Sequence, residues 1–225
     1  MSQAKPMPLV VLISGAGTNL QALIDAIAAG EIHGHITAVI SNRPGARGLE
    51  RAARAGIPTH VLDHTAYLDR AAFDQAMTAL IDGHTPGLVV LAGFMRILTP
   101  DFVEHYTNRL INIHPSLLPD FRGLKTHERA LRAGVKEHGA SVHFVNNELD
   151  GGPVIMQARV EIRPDDTPEI LAARVLQREH RLYPRAVGLL AAGRLTLRDG
   201  QVWLDHKPLD APLDMDTDGQ RMQEN

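Results

Sequence analysis

The chain has 225 residues, of which 44% are hydrophobic and 22% are charged, the balance of an ordinary globular protein. Its formal net charge of -3 gives no basic field for a nucleic-acid backbone, so we expect no nucleic-acid partner. The sequence has no cysteine, which excludes disulfides, thiolate metal sites and a cysteine nucleophile. No apolar run has membrane-spanning length and none reads as a secretory signal, so we expect a cytoplasmic protein without membrane contact.

Apolar segments alternate between strand-like and helix-like spacing along the first half of the chain. Residues 9–14 form a β-branched run that ends at glycines, as a buried parallel strand does. We expect Asn19 to cap the following helix and Gly30 to end it. The further predicted elements are strands at 37–41, 59–62, 88–91 and 110–113 and helices at 46–55 and 69–81. This alternation predicts an α/β fold with an open, mostly parallel twisted sheet and helices on both faces.

The second half of the chain has a different pattern. Segments 140–145 and 154–162 flank a glycine turn at 150–153 and predict an antiparallel extension of the sheet. Residues 195–204 contain two short apolar runs around Asp-Gly, which predict a terminal hairpin. Residues 205–225 are polar and weakly patterned, and we expect this tail to be frayed.

A long helix is predicted between the antiparallel strands and the hairpin. Thr167 followed by Pro168 is typical of an N-cap with proline in the first helical position. The helical spacing then continues to about residue 192, with Pro184 inside the helix or dividing it.

The first candidate site is the segment Gly15-Ala16-Gly17-Thr18-Asn19, between the first strand and the first helix. Glycines let a backbone approach an anion, and the N–H groups of a helix start favour phosphate. The segment matches neither the P-loop nor the full dinucleotide pattern, so ATP and dinucleotides are poorly supported. A plain tight turn is the alternative, but its position at the carboxyl end of a strand favours phosphate binding.

The second candidate site lies at the end of the strand at 110–113. Strand periodicity places Asn112 and His114 on one side, about 7 Å apart. An amide can donate to a developing oxyanion, and an imidazole can carry protons between an amine and its acceptor. A structural, hydrogen-bonded histidine is the alternative interpretation of His114.

The third candidate is Asp150, which opens the glycine turn between two predicted strands. Aspartate is common in such turns because its side chain bonds the local backbone. Alternatively, Asp150 reaches the His114 imidazole, orients it and favours its protonated form. The sequence separation leaves both interpretations open.

No histidine pair shows the helical spacing of a zinc site, and no serine lies in a nucleophile elbow, so we expect no metal and no covalent intermediate.

Four segments together resemble one known family. They are ISGAGTNLQ at 13–21, LAGFMRIL at 91–98, NIHPSLLP at 112–119 and SVHFVNNELDGGPVI at 141–155. In this order they closely resemble the phosphoribosylglycinamide formyltransferases, a folate-dependent family of purine synthesis with a Rossmann-like fold. The resemblance covers roughly residues 8–204. It implies one domain at 1–204, with a phosphate-binding half at about 8–100 and a folate and catalytic half at about 101–204.

The resemblance implies transfer of the formyl group of 10-formyltetrahydrofolate to the glycinamide amine of 5-phosphoribosylglycinamide, in de novo purine (IMP) biosynthesis. Asn112 would stabilise the tetrahedral oxyanion, His114 would be the general acid, and Asp150 would hold His114. The residues implied to bind the phosphorylated substrate are Gly15, Gly17, Thr18, Asn19 and Glu179. Those implied to bind the folate are Arg70, Met95, Arg96, Ile97, Leu98 and Asn112. The expected partners are these small molecules, and the chain is expected to be a monomer or a homodimer.

One position departs from the family pattern, because Lys125 stands where many members have histidine. This removes proton transfer as an expected role of that position, and an approach of Lys125 to the substrate phosphate is the alternative.

Three rival functions are separated by sequence features. A formyltetrahydrofolate hydrolase is the nearest alternative, but such enzymes typically have His-His-Ser-Phe-Leu-Pro and an extra amino-terminal domain, whereas Pro115 follows His114 here. A methionyl-tRNA formyltransferase would need a further, basic domain that binds tRNA. A silent nucleotide-binding module would explain the glycine segment but not the polar pair on the strand.

Overall fold

The computed structural model describes residues 5–218. They form two compact units, and the boundary between the units lies after Ile111 in the sequence. The sequence-based division placed this boundary at about residue 100. That interpretation, and the assignment of one domain to residues 1–204, remain predictions.

The first unit alternates strands with helices. Its strands are β1 (Met7–Ile13), β2 (Gly34–Ser41), β3 (Thr59–Val61) and β4 (Leu88–Leu91). Its helices are α1 (Thr18–Ala28), α2 (Arg47–Arg54), α3 (Arg70–Asp82) and α4 (Pro100–His105), with a 3-10 turn at His64–Ala66. β1 pairs in parallel with β2 and β4, and β2 pairs in parallel with β3. Residues 9–13 of β1 are fully buried, so this strand forms the centre of the core.

The second unit begins within a strand and contains the antiparallel part of the fold. Its strands are β5 (Leu110–His114), β6 (Glu137–Phe144), β7 (Val154–Glu161), β8 (Leu195–Arg198), β9 (Gln201–Leu204), β10 (Lys207–Pro208) and β11 (Leu213–Asp214). Its helices are α5 (Thr126–Ala133) and α6 (Pro168–Ala191). β6 and β7 are antiparallel, and β8 and β9 form the predicted hairpin.

The sheet topology confirms the predicted fold class. Eight strands form one sheet in the order β11-β7-β6-β5-β4-β1-β2-β3, and β10, β9 and β8 form a second, three-stranded antiparallel sheet. The larger sheet is mostly parallel: β1 pairs in parallel with β2 and β4, β2 with β3 and β7 with β11, whereas β6 and β7 are antiparallel. This is the α/β fold with an antiparallel extension that the alternation of elements predicts.

Two short helices, α4 and α5, were not predicted. α4 nevertheless starts with the same signal as α6, since Thr99 and Thr167 are both N-caps followed by proline. The Thr99 hydroxyl accepts a hydrogen bond from Phe102 N at 3.4 Å, and the Thr167 hydroxyl accepts one from Ile170 N at 3.3 Å. Apolar periodicity is a weak signal over helices of six and eight residues.

The predicted cap of α1 is wrong. Asn19 lies inside the first turn and is buried, and α1 begins at Thr18. The N-cap is Gly17, whose φ of 68° is left-handed and which forms no side-chain cap. A close backbone approach at this position, described below, explains why a glycine precedes the helix.

The expected frayed tail differs from the structure over residues 205–218. β11 pairs in parallel with β7, and Met215 N donates to Gln157 O at 2.9 Å. Leu213 and Met215 are both buried. These two apolar side chains, spaced as in a strand, anchor a segment whose average composition is polar. Residues 219–225 lie outside the described residues.

No helix within residues 5–218 has both the length and the apolar character needed to cross a membrane.

Candidate active site

In the second unit, β5 carries the two polar residues predicted from its periodicity. Asn112 and His114 alternate with the buried Ile111 and Ile113. His114 is only 5% exposed, so its ring nitrogens depend on protein partners for hydrogen bonds.

The two ring nitrogens of His114 face different acceptors. His114 Nε2 lies 3.1 Å from the carbonyl oxygen of Phe121, and Nδ1 lies 3.4 Å from Asp150 Oδ2. Because a carbonyl oxygen only accepts, Nε2 is the donor in the first contact. Nδ1 therefore faces a carboxylate oxygen, which accepts a hydrogen bond whenever this nitrogen carries a proton.

Asp150 is held in place by its own turn and by the loop after β5. Its backbone is left-handed, with φ of 47°, and its side chain is 10% exposed. Gly123 N donates to Asp150 Oδ2 at 2.8 Å. The turn also lies close to β6, since a Cβ on Gly152 would be 1.9 Å from Phe144 O. The Asp150 carboxylate therefore contacts Gly123 and faces His114, and its catalytic role stays a prediction.

His143 on β6 is a site residue to which the sequence analysis gave no role. Asn112 Nδ2 donates to His143 Nε2 at 3.2 Å, and His143 Nδ1 lies 2.8 Å from Phe144 O. Burial lowers the pKa of His143, which favours the neutral ring. A neutral ring that donates through Nδ1 accepts through Nε2, so His143 fixes the orientation of the Asn112 amide. The alternation of side chains in the segment SVHFV predicts on which face of the strand His143 lies. It does not predict that Asn112 is the hydrogen-bond partner of His143.

A second pair of histidines lies near this cluster without belonging to a metal centre. His138 Nε2 is 3.1 Å from His127 Nδ1, and burial is the main cause that lowers the pKa of His138 to about 4. Among residues 5–218 no group of three or more His, Cys, Asp or Glu side chains could hold a metal ion.

In the first unit, the glycine segment is packed against the start of α2. Gly48 N donates to Gly15 O at 3.0 Å. A Cβ on Gly17 would lie 2.5 Å from the Gly48 Cα, and Gly17 has a left-handed φ of 68°. Only glycine meets both conditions, because an L side chain would be strained and would collide with backbone. Gly48 is thus a functional candidate that the sequence analysis missed.

Arg51 also holds the glycine segment and was also missed. Its Nε donates to Ala16 O at 2.9 Å. With the carbonyls of Gly15 and Ala16 bonded to α2, the segment turns its carbonyl oxygens toward that helix. The N–H groups at the start of α1 have no partner within the helix, and such groups favour an anion. The contacts of Gly48 and Arg51 join segments some 30 residues apart, which sequence patterns do not report.

The segment after β4 carries four predicted folate-binding residues, Met95, Arg96, Ile97 and Leu98. Met95 and Ile97, two residues apart, are 64% and 61% exposed. Ser14 Oγ accepts a hydrogen bond from Met95 N at 2.8 Å, and Arg96 stacks over the Phe73 ring at 4.7 Å.

Comparisons with known proteins agree with these features. The formyl transferase family matches residues 7–187. The phosphoribosylglycinamide formyltransferase of Escherichia coli is 53% identical over 203 residues, which cover 90% of this chain and 96% of that protein. This chain belongs to the phosphoribosylglycinamide formyltransferase family. The solved phosphoribosylglycinamide formyltransferase of Coxiella burnetii is 54% identical, with a TM-score of 0.89 over 93% of this chain and 99% of that one.

A formyltetrahydrofolate deformylase of Pseudomonas syringae is a more distant structural neighbour of this member of the formyltransferase family. It is 28% identical, with a TM-score of 0.82, and the match covers 89% of this chain and 66% of that chain. The same fold therefore occurs with the chemistry that the sequence analysis names as the nearest alternative.

Some of the predicted site residues belong to one cluster of contacting side chains, and others lie outside this cluster. Asn112, His114 and Asp150 form one cluster together with His143. Glu179 is buried on α6, where its charge contributes to the raised pKa of Tyr183 after the main effect of burial. Arg70 and Leu98 in the first unit are exposed and half-buried, respectively.

Lys125 occupies a distinctive backbone position before α5. It is the N-cap of this helix, with a left-handed φ of 57°. Its exposed ammonium group lies 3.5 Å from Glu128 Oε2. The described contacts of Lys125 are therefore with its own helix, and its approach to a phosphate stays a prediction.

Proposed function

We propose that this chain transfers the formyl group of 10-formyltetrahydrofolate to the glycinamide amine of 5-phosphoribosylglycinamide, a step of de novo purine biosynthesis. The observation that carries the proposal is a cluster in which the Asp150 carboxylate faces the buried His114 imidazole and His143 links Asp150 to the Asn112 amide. Membership in the formyltransferase family identifies the group that is transferred.

The proposed chemistry needs no covalent enzyme intermediate. The amine nitrogen bonds to the formyl carbon, the bond from that carbon to folate N10 breaks, and one proton passes from the amine to N10. The Asn112 amide donates to the oxyanion of the tetrahedral intermediate, where its charge develops. His114 moves the proton, and Asp150 stabilises its protonated form and holds the ring.

The glycine segment is proposed to bind the substrate phosphate. The N–H groups of Gly15, Gly17, Thr18 and Asn19 would face the anion, an arrangement supported by the left-handed turn at the start of α1. Glu179 is proposed to bind the ribose hydroxyls or the glycinamide.

The folate is proposed to bind the exposed apolar surface of the first unit. Met95, Arg96, Ile97 and Leu98 would contact the pterin ring with Asn112, and Arg70 would meet the folate tail. The high exposure of Met95 and Ile97 supports a binding surface. The partners of the chain are then small molecules, and we propose a cytoplasmic monomer or homodimer.

An absorbance assay tests the proposed function. The folate analogue 10-formyl-5,8-dideazafolate is mixed with the protein, with and without glycinamide ribonucleotide, and deformylation is followed. We expect deformylation that requires the amine. Deformylation at the same rate without the amine would instead establish a hydrolase, and no deformylation in either mixture would leave a binding module.

A further inference from the structure

The segment of residues 95–99 is anchored at both ends by buried acceptors of its own unit. At one end Met95 N donates to Ser14 Oγ at 2.8 Å. At the other end Thr99 N donates to Asp74 Oδ2 at 2.6 Å. The backbone between the anchors carries the exposed Met95 and Ile97 side chains. The position of this apolar surface therefore depends on two hydrogen bonds, one to a neutral hydroxyl and one to a carboxylate.

The Asp74 anchor is a carboxylate in the protein interior. Asp74 lies on α3 and is 2% exposed. Its Oδ1 is buried and has no hydrogen-bond partner within residues 5–218. Burial raises the pKa of Asp74, and the bond from Thr99 and the charges of Arg96 and Arg70 oppose this increase.

Arg96 is held beside the same part of α3. Its guanidinium stacks over the ring of Phe73 at 4.7 Å, and Phe73 is fully buried next to Asp74. The Nε of Arg96 is buried and, like Asp74 Oδ1, has no hydrogen-bond partner among the described residues. The positive charge near Asp74 and the ring of Phe73 together restrict where Arg96 can lie.

A purely structural role explains a buried carboxylate poorly. Removing a carboxylate from water is costly, and apolar residues of similar size often stabilise a core better. The carboxylate of Asp74 instead provides a strong, directional acceptor for one backbone N–H and an opposite charge for Arg96. Both effects act on the 95–99 segment.

We propose that Asp74 is a positioning residue for the folate cosubstrate. Its carboxylate fixes the backbone at Thr99 and retains Arg96 against Phe73, so that Met95 and Ile97 form an apolar surface that exists before the folate binds. Preorganisation of this kind increases affinity because the segment loses less freedom on binding. The inference rests on the proposed function, in which the 95–99 segment contacts the folate, and Asp74 itself touches no substrate.

Steady-state kinetics of two variants test the inference. Asp74→Ala removes the acceptor and the charge, so we expect the KM for 10-formyl-5,8-dideazafolate to rise about tenfold, equivalent to about 1.4 kcal/mol. Asp74→Asn retains an acceptor oxygen and removes only the charge, so we expect a rise of about threefold. In both variants kcat and the KM for glycinamide ribonucleotide should stay within about twofold of the wild type, since the 95–99 segment is not proposed to bind the phosphorylated substrate.

Asp82→Asn is the matched control. Asp82 lies at the end of the same helix and accepts a hydrogen bond from the Tyr106 hydroxyl at 3.0 Å, away from the 95–99 segment. This substitution is expected to lower thermal stability without changing the KM for the folate analogue. The comparison separates a change in the folate site from general weakening of α3.

Three outcomes would overturn the positioning role. One is a wild-type folate KM in Asp74→Ala, and another is an equal rise in both KM values. The third is a folate KM in Asp82→Asn that rises as much as in Asp74→Asn. If Asp74→Ala does not fold, Asp74→Asn with a native circular dichroism spectrum decides by the same KM comparison. Absence of formyl transfer by the wild type would contradict the proposed function instead.

Discussion

The glycine segment and the histidine cluster both depend on a residue with a left-handed backbone, but for different reasons. At Gly17 the φ is 68° and the position of a Cβ is occupied by the backbone of Gly48. At Asp150 the φ is 47°, and the side chain carries the proposed role, since its carboxylate faces His114. A non-glycine residue in this conformation is strained, and such strain is common at functional sites. The glycine segment is therefore sensitive to added volume, whereas the cluster is sensitive to a change of charge or of proton carrier.

Loss of the His114 imidazole should have the largest effect on activity. It tests whether the histidine cluster is sensitive to a change of its proton carrier. We expect His114→Ala to lower kcat by about 10³-fold, because general acid–base catalysis contributes on this order. The fold should persist, as measured by circular dichroism. His105→Ala is the matched control, because His105 is a half-exposed histidine on α4, and it should keep wild-type kcat. A kcat near that of the wild type in His114→Ala would exclude His114 from the mechanism.

Neutralising Asp150 separates charge from shape within the cluster. Asp150→Asn keeps an oxygen that can accept from Gly123 N but removes the charge 3.4 Å from His114 Nδ1. We expect kcat to fall about a hundredfold, the lower end of acid–base effects, with little change in either KM. Rapid-mix kinetics with the folate analogue would measure this. An unchanged kcat would leave Asp150 with a turn role only.

Adding one methyl group tests the glycine segment. Gly17→Ala places a Cβ 2.5 Å from the Gly48 Cα, so the segment must shift, and we expect the KM for glycinamide ribonucleotide to rise about tenfold. Gly30→Ala is the matched control, because Gly30 has a φ of 77° and nothing within 4 Å of an added Cβ.

Gly30→Ala should lose about 1 kcal/mol of stability, because alanine is strained in the left-handed conformation. Its affinity for the substrate should not change. Equal KM values in the Gly17 and Gly30 variants would contradict the importance of volume at the segment.

The smallest expected effect is on the stability of the fold at acidic pH. It compares a substitution of an ionisable side chain with a substitution that affects only the backbone. Burial lowers the pKa of His138 from 6.5 to about 4. Between these pH values the unfolded chain binds a proton at His138 and the folded chain does not, so stability falls as pH decreases from about 6.5 to 4. We expect His138→Gln to lose less stability than the wild type between pH 7 and pH 5 in urea unfolding.

Gly30→Ala serves again as the reference, because the stability that this substitution removes should be the same at both pH values. A wild-type pH dependence in His138→Gln would show that other groups control the acid response.

Much of the fold follows from local signals in the sequence. The apolar runs at β1 and β4 are nearly continuous, because parallel strands are buried on both faces. Alternation along β5 also predicts that Asn112 and His114 share a side. Short helices such as α4 carry less periodic information, although the Thr99-Pro100 start was a usable signal.

The rest of the candidate site depends on contacts between distant segments. Asn112 meets His143 across 31 residues, and Arg51 meets Ala16 across 35. No local pattern encodes such pairings, so His143 and Arg51 were not identified as functional candidates and the role of Asp150 stayed open. The polar average of residues 205–218 likewise concealed the two apolar side chains that anchor β11.

The pairing of β11 with β7 has a consequence for shortened versions of the chain. β11 is the last strand at one end of the eight-stranded sheet, and it pairs with β7 at Met156 and Gln157. A chain cut after Leu204 would expose N–H and C=O groups of this stretch of β7 beside the apolar surface that Leu213 and Met215 now bury. Exposed strand edges promote aggregation by edge-to-edge pairing. A fragment that ends at Leu204 and keeps every proposed catalytic residue would expose this short stretch of strand edge, so we expect it to self-associate more readily than the full chain.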